Sequence, residues 1–490
     1  MDRHHDVRKV AVVGGGVTGL SAAFYLYRAA EERGMPISVT LLEGSERLGG
    51  RVDTLRRDGF FIERGPDSFL ARKRPMVRLA EELGLEDQLT GTNPQAKKTY
   101  IVRDGELHPM PAGLYMGVPV DGDAFLKTGL LSDEGKRRAL EERDIPPAPA
   151  GAGDETVGAF LERRFGPEMV KRIFEPLLAG IYAGDLYALG LQAAFPQFRE
   201  LERQYGSLIR GMAENRKASQ AQGSVGEPAV RAAGSVFLTF RRGLSAVIEA
   251  LEAKLRAYGC DIRLGARAVA LSKRENASSF GPAAYRLSLE AGAPVDADAV
   301  VVALPASGIA DLLDPHADVS AMRNINYVSV ANVVFGFGEA GIGHPLGGSG
   351  FLVPRGEGFL ITASTWTSSK WLHTAPEGKR LVRCYVGRAG EEGNVDLSDE
   401  EITAGVRRDL KALLGVDTEP AFAEITRLRR SMPQYPVGHR HAADIFLSAL
   451  GERLPGVLPA GQPFGGVGLP DCVDQGRQAA EKLVDYLAGS

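Results

Sequence analysis

Val10-Ala11-Val12-Val13-Gly14-Gly15-Gly16-Val17-Thr18-Gly19 starts as a β-branched apolar run and closes on a glycine pattern. The run has the character of a buried parallel strand. Gly14, Gly16 and Gly19 fit G-x-G-x-x-G, and residues 20–26 continue as a helix with few breakers. A second apolar strand, 38–42, ends at Glu43. In such a unit the first glycine permits the tight turn, the second lets a pyrophosphate approach the backbone, and the third lets helix and strand lie close. The helix N-terminus holds the phosphates, and the acid after the second strand accepts hydrogen bonds from a ribose hydroxyl. Glu43 lies 24 positions beyond Gly19, with a longer loop at 31–35 taking up the excess. Gly14, Gly15, Gly16, Val17, Thr18, Gly19 and Glu43 are therefore the candidate contacts to a dinucleotide. The competing reading is an empty Rossmann-like turn.

Working outward, 490 residues are too many for one ordinary core, so two or three domains are expected. A hydrophobic fraction of 44% and a charged fraction of 24% belong to a soluble globular chain. A net charge of −4 gives no general attraction to nucleic acid. Cys260, Cys384 and Cys472 stand far apart, in no metal-ligand spacing, and fit a reducing, cytoplasmic compartment. Residues 1–6 carry charge without an apolar core, so no signal peptide is expected. No uncharged apolar run reaches the length of a membrane span.

Further along, 58–69 reads as a strand running into a glycine-proline turn. Arg72, Lys73 and Arg74 cluster before a helix from Pro75 to Leu85. Three cations near a crevice can bind anionic groups, and they can equally be a solvated helix start. Asp104-Gly105 marks a hairpin over 99–108. Residues 125–216 have a helical texture with many breakers, including a loop at 146–153, helices at 156–165 and 167–178, and a turn at 180–184; a link follows at 218–233. The parallel-sheet pattern then resumes with strands at 237–240, 261–264, 285–290 and 299–303 and a helix at 245–258. Segments 328–337, 358–365 and 380–387, with a helix at 399–414, suggest a mostly antiparallel sheet. A strand at 457–461, a glycine-rich turn at 464–471 and a helix from 472 to 487 close the chain. Two glycine-rich strand-to-helix turns at opposite termini imply a nucleotide domain assembled from both ends.

After Glu43 the chain reads Gly44-Ser45-Glu46-Arg47-Leu48-Gly49-Gly50-Arg51. This resembles the second glycine motif of the flavoprotein oxidase and desaturase superfamily, which implies FAD with Arg51 along it. Gly65-Pro66-Asp67-Ser68-Phe69, Gly180-Ile181-Tyr182-Ala183-Gly184, Ala194-Phe195-Pro196-Gln197-Phe198, Met432-Pro433-Gln434-Tyr435 and Gly466-Val467-Gly468-Leu469-Pro470-Asp471-Cys472 occur in order along the chain. Together they resemble the oxygen-dependent porphyrinogen oxidases of haem biosynthesis, closest to the soluble bacterial branch.

The resemblance implies an α/β plus α+β fold in three interleaved parts. These are a Rossmann-type FAD-binding domain (1–60, 225–305 and 430–490), a mixed-sheet substrate domain (61–110, 205–224 and 306–429) and a small helical insertion (111–204). It implies noncovalent FAD, oxygen as acceptor, and a six-electron oxidation of a tetrapyrrole that yields three H2O2. FAD contacts carried over are Gly14 to Gly19, Glu43, Arg51, Gly65, Pro66, Asp67, Ser68, Ala268, Gly466 and Val467. Phe69, Lys73, Gly180 and Ile181 would line the substrate cavity, and Arg72 to Arg74 become a carboxylate-binding patch with Arg199 also available. No catalytic acid or base is assigned, because hydride removal needs positioning more than proton transfer. Coproporphyrinogen III, with four propionates, is the expected substrate; protoporphyrinogen IX, with two, is the alternative. Peripheral membrane contact and hand-over to the next enzyme of the pathway stay open. Gly465 stands where relatives often have an acid, and Leu428 where some carry Trp. A flavin amine oxidase, a carotenoid desaturase and a flavin-binding partner without activity are the competing classes.

Overall fold

The computed structural model describes residues 7–149, 151–221, 235–274, 284–338 and 342–489. Residues 1–6 and most of the link expected at 218–233 lie outside that set. Five strands form an all-parallel sheet in the order Asp261–Arg263, Ile37–Leu42, Arg8–Val13, Ala299–Val302, Val457–Pro459. Val10, Val12, Val39, Leu41, Val300 and Val301 are buried, as a sheet covered on both faces requires. The sheet draws on both ends of the chain. The final helix, Leu469–Gly489, lies against the first, Val17–Glu32. That approach depends on Gly476, where a Cβ would stand 2.4 Å from the Thr18 carbonyl oxygen.

Two strands expected in this sheet lie elsewhere. Phe237–Phe240 pairs antiparallel with Phe69–Leu70 and Leu89–Gly91. Tyr285–Leu289 is the centre of an antiparallel meander with Ala268–Lys273 and Val295–Ala297. A β-branched run identifies a strand but not its partner.

A seven-stranded sheet follows the order Phe422–Gln434, Asn326–Phe337, Arg380–Val386, Ile361–Thr365, Gly350–Leu352, Thr99–Arg103, Glu106–Pro109. Its neighbours are antiparallel except for Gly350–Leu352 beside Thr99–Arg103. The hairpin turns at Asp104 and Gly105, with φ of 52° and 77°, as its Asp-Gly pair requires. Helix Asp399–Leu414 begins with a Ser398/Glu401 capping box and buries Ile402, Val406 and Leu410 in the same core as Val386 and Phe335. Segment 61–110 divides: Phe69 to Leu83 pack with the core around the first helix, and Val102 with that of the large sheet.

A helical region includes Asp133–Leu140, Val157–Phe165, Pro196–Tyr205 and Leu208–Ala221, and its Phe160, Phe165 and Phe198 share a core with Val13 and Val302 of the parallel sheet. The helix expected from Pro167 is a longer rod. It passes through a π turn at Val170–Phe174 and continues as Glu175–Tyr182. Residues 180–182, read as a turn from their glycines, are its last residues; the chain leaves the helix at Ala183, with φ of 49°. Arg199, proposed above as available to substrate, is engaged here, donating to Glu155 at 2.6 Å and Glu202 at 2.7 Å. Among the described residues no helix is long and apolar enough to cross a membrane.

Candidate active site

The first glycine turn distributes its three roles as the spacing predicts. Gly14 has φ of 109°, and a Cβ there would lie 2.3 Å from the Ala303 carbonyl oxygen. A Cβ on Gly19 would lie 1.9 Å from the Gly14 oxygen, so this glycine lets the helix seat on the strand. At Gly16 a Cβ would meet no atom within 4 Å. The turn thus leaves clear space at the position where the glycine spacing leads one to expect a pyrophosphate. Glu43 accepts the Gly15 N–H at 2.7 Å and the Ser45 N–H at 2.8 Å, one on each carboxylate oxygen. A second lone pair on each oxygen stays available for a ribose hydroxyl. The Ala266 N–H donates to the Glu43 carbonyl at 2.8 Å, which sets the start of Ala268–Lys273 beside this end of the turn.

The second glycine motif lies directly on the first. Gly49 donates to the Gly15 carbonyl at 2.8 Å, and Gly16 and Gly49 form a parallel bridge. From here Arg51 reaches the strand Phe422–Gln434 and donates to the carbonyls of Ser431 and Arg430. The Gly65-Pro66 turn closes against Arg51 so tightly that a Cβ on Gly65 would be 1.7 Å from the Arg51 oxygen.

Asp67 accepts from the Ser68 hydroxyl at 2.7 Å and lies 3.6 Å from the Lys370 ammonium and 3.9 Å from Arg383. Although burial alone would raise its carboxyl, these two cations and the Ser68 hydroxyl hold it at about 2. Arg383 also donates to the Gly65 carbonyl and, at 2.7 Å, to Asn332. The large sheet therefore fixes the Gly65–Ser68 turn.

Glu63 is the opposite case. It lines a small cavity of about 10 Å³ with Asp67, His373, Trp371 and Arg383, and burial raises its carboxyl to about 7. It accepts the Leu244 N–H at 2.7 Å and the Thr54 hydroxyl at 2.8 Å. Between about pH 4.5 and 7 the folded chain keeps this proton while the unfolded chain releases it. Stability should therefore fall as pH rises through that window and level off above it. Glu63→Gln should remove about 2 kcal/mol of that decline between pH 5 and pH 7, read as urea midpoints at those two pH values. A variant with the wild-type slope would refute the assignment.

At the C-terminal turn Gly466 has φ of 108° and precedes the helix that begins at Leu469. Gly465, the departure noted above, has a reason: a Cβ there would be 2.4 Å from the Gln475 amide nitrogen, so Gln475 takes the space. Asp471 lies in the first turn of the helix and receives Lys73, whose Nζ is 2.7 and 2.6 Å from its two oxygens. Lys73, expected in a carboxylate-binding patch, is tied to the C-terminal turn, with side-chain exposures of 36% and 21% for the pair. Arg74 lies 3.7 Å from Glu81 and Arg72 is exposed.

At the end of helix Glu175–Tyr182, burial pushes up the Tyr182 hydroxyl and the charge of Asp471 adds to it; the Tyr182 ring lies edge-on to Tyr435, 6.2 Å between centroids. On that helix Gly180 is exposed with no atom within 4 Å of a Cβ position, and Ile181 is 42% exposed. Phe69 is a core residue, 3% exposed, with its ring 6.0 Å from Phe240. Val467 is half-buried beside Phe464 at the edge of the core. Among the described residues no group of three or more His, Cys, Asp or Glu side chains could hold a metal. Asp471, Tyr182 and Arg383 escaped the sequence reading, although the first two lie inside quoted motifs.

Known proteins resemble this chain along nearly its whole length. The family model described as flavin containing amine oxidoreductase matches residues 17–484. The coproporphyrinogen III oxidase of Bacillus subtilis (strain 168) is 41% identical over 480 residues, covering 98% of each chain. Protoporphyrinogen oxidase 1, chloroplastic, of Arabidopsis thaliana is 29% identical, covering 97% of this chain and 88% of that one. A solved structure from Exiguobacterium sp. 255-15, provisionally named a protoporphyrinogen oxidase, has a TM-score of 0.83 at 35% identity, covering 97% and 98%. A glycine turn open at Gly16, a ribose-type acid at Glu43 and full-length similarity to these relatives lead to one conclusion: the chain belongs to the flavin-containing amine oxidoreductase family, beside the coproporphyrinogen III and protoporphyrinogen oxidases.

Proposed function

We propose that the chain binds FAD noncovalently and oxidises coproporphyrinogen III to coproporphyrin III with oxygen, in haem biosynthesis. The observation that carries the reaction is the end-to-end similarity, at 41% identity, to a coproporphyrinogen III oxidase. When bound, FAD supplies the acceptor for hydride from a meso carbon and passes the electrons to oxygen. Three such two-electron oxidations consume three O2 and yield three H2O2.

The chain's own residues supply the setting. The turn Gly14 to Gly19, open at Gly16, takes the pyrophosphate, and Glu43 the ribose. Arg51, Gly65 to Ser68 and the strand start at Ala268 flank the cofactor. The amides at Gly466 and Val467 stabilise negative charge on it. Lys73 holds a propionate, and Gly180 and Ile181 supply the apolar wall for the macrocycle, while Phe69, expected beside them, stays in the core against Phe240. No side chain is assigned as acid or base. This division corresponds to a cofactor part built on the parallel sheet, a substrate part on the large sheet, and the helical insertion. Three free, buried cysteines fit a reducing compartment such as the cytoplasm.

Mixed anaerobically, the flavin of the purified holoprotein should bleach with coproporphyrinogen III and stay yellow with a primary amine. Bleaching by the amine alone would replace this reading with an amine oxidase.

A further inference from the structure

The motif Met432-Pro433-Gln434-Tyr435 has no role in the account above, yet its surroundings connect all parts of the site. Where strand Phe422–Gln434 pairs with Asn326–Phe337, the register shifts between Val328 and Val330. Opposite that bulge Arg430 has φ of 45°, and its N–H is held by the Ser329 hydroxyl at 2.9 Å. A bulge re-aims the groups beside it, and here the carbonyls of Arg430 and Ser431 meet the Arg51 guanidinium.

Gln434 donates from Nε2 to the Tyr182 carbonyl at 2.8 Å, at the end of the helix that carries Gly180 and Ile181. The amide is wedged there: a Cβ on Gly184 would be 2.0 Å from its Oε1. Tyr435 donates its hydroxyl to the Gln462 carbonyl at 2.7 Å, in the turn that leads to Gly466. Its ring stacks on His439 at 5.0 Å, and His439 Nε2 lies 2.7 Å from the next carbonyl, Pro463.

We infer that residues 430–435 form a positioning strut that sets the cofactor turn and the substrate helix in one register, with Tyr435 acting on the cofactor side and Gln434 on the substrate side. The inference rests on the reading above. Hydride transfer tolerates little error in the approach of the two reacting atoms, and a strand in the large sheet is a rigid base from which to fix both. Tyr435 and Gln434 are positioning residues: each acts through a backbone carbonyl that it holds.

The test separates the two sides. Tyr435→Phe should raise the FAD Kd about fivefold to tenfold, the size of one lost buried hydrogen bond. It should also shift the flavin midpoint potential, with the KM for coproporphyrinogen III within about twofold of wild type on the same scale. His439→Leu should repeat this pattern. Gln434→Leu should do the reverse, raising KM by about fivefold to tenfold with FAD affinity unchanged. The strut is overturned if both substitutions move the same constant by the same factor, or if they lower only the thermal midpoint. A wild-type chain that binds FAD and oxidises no porphyrinogen contradicts the proposed reaction instead, because the FAD affinity and flavin potential of the Tyr435 and His439 variants are read without substrate.

Discussion

Gly16→Ala should leave the fold intact and abolish most of the cofactor affinity, by about a hundredfold or more. The backbone at Gly16 has φ of −72° and ψ of 176°, which alanine adopts without strain. The added methyl meets no protein atom within 4 Å, so the apoprotein should melt within a degree or two of wild type. The same methyl stands in the space a pyrophosphate needs. Forcing extra volume into a close-packed contact costs about 1–3 kcal/mol, and the lost backbone approach adds to that, which together corresponds to about two decades in Kd. Gly19→Ala is the contrasting case. Its methyl would be 1.9 Å from the Gly14 oxygen, so stability and FAD affinity should fall together. Flavin fluorescence titration beside apoprotein melting curves reads both. A Gly16→Ala chain with wild-type affinity would place the phosphates elsewhere.

Lys73→Glu should lower kcat/KM for coproporphyrinogen III by about two to three decades, mostly through KM. The ammonium already donates to both oxygens of Asp471, and a lysine has three donors, so one stays free for a propionate. Reversing the charge removes that charge-assisted bond, worth about 1.5–3 kcal/mol, and faces Asp471 with a second carboxylate. The swap Lys73→Glu with Asp471→Lys should recover stability while KM stays high, since the cation then sits on the wrong element. The loss should be larger for the four-carboxylate substrate than for protoporphyrinogen IX. Equal losses for the two would remove the carboxylate role from Lys73.

How much of this was legible in the sequence depended on range. The turn at Gly14 to Gly19, the Asp104-Gly105 hairpin and the helix Asp399–Leu414 are encoded by neighbours within a few residues, and each forms where its pattern predicts. The run Phe237–Phe240 marks itself as a strand but not its sheet, because its partners at Phe69 and Leu89 are remote in the chain. Gly180 to Tyr182 looked like a turn, but packing of the rod that begins at Pro167 overrides one glycine's weak helix preference. The cations failed in the same way. Lys73 meets a partner 398 residues away, and Arg199 serves Glu155 and Glu202 within the helical region, which no local pattern announces. Similarity of whole motifs carried the rest of the site.

The central claim is the substrate, and a steady-state comparison of the purified, FAD-loaded chain on coproporphyrinogen III and protoporphyrinogen IX tests it most directly. Oxygen uptake and porphyrin fluorescence should rise together, with three O2 consumed per ring and the higher kcat/KM on coproporphyrinogen III. A higher kcat/KM on protoporphyrinogen IX, or no porphyrin from either, would contradict the account.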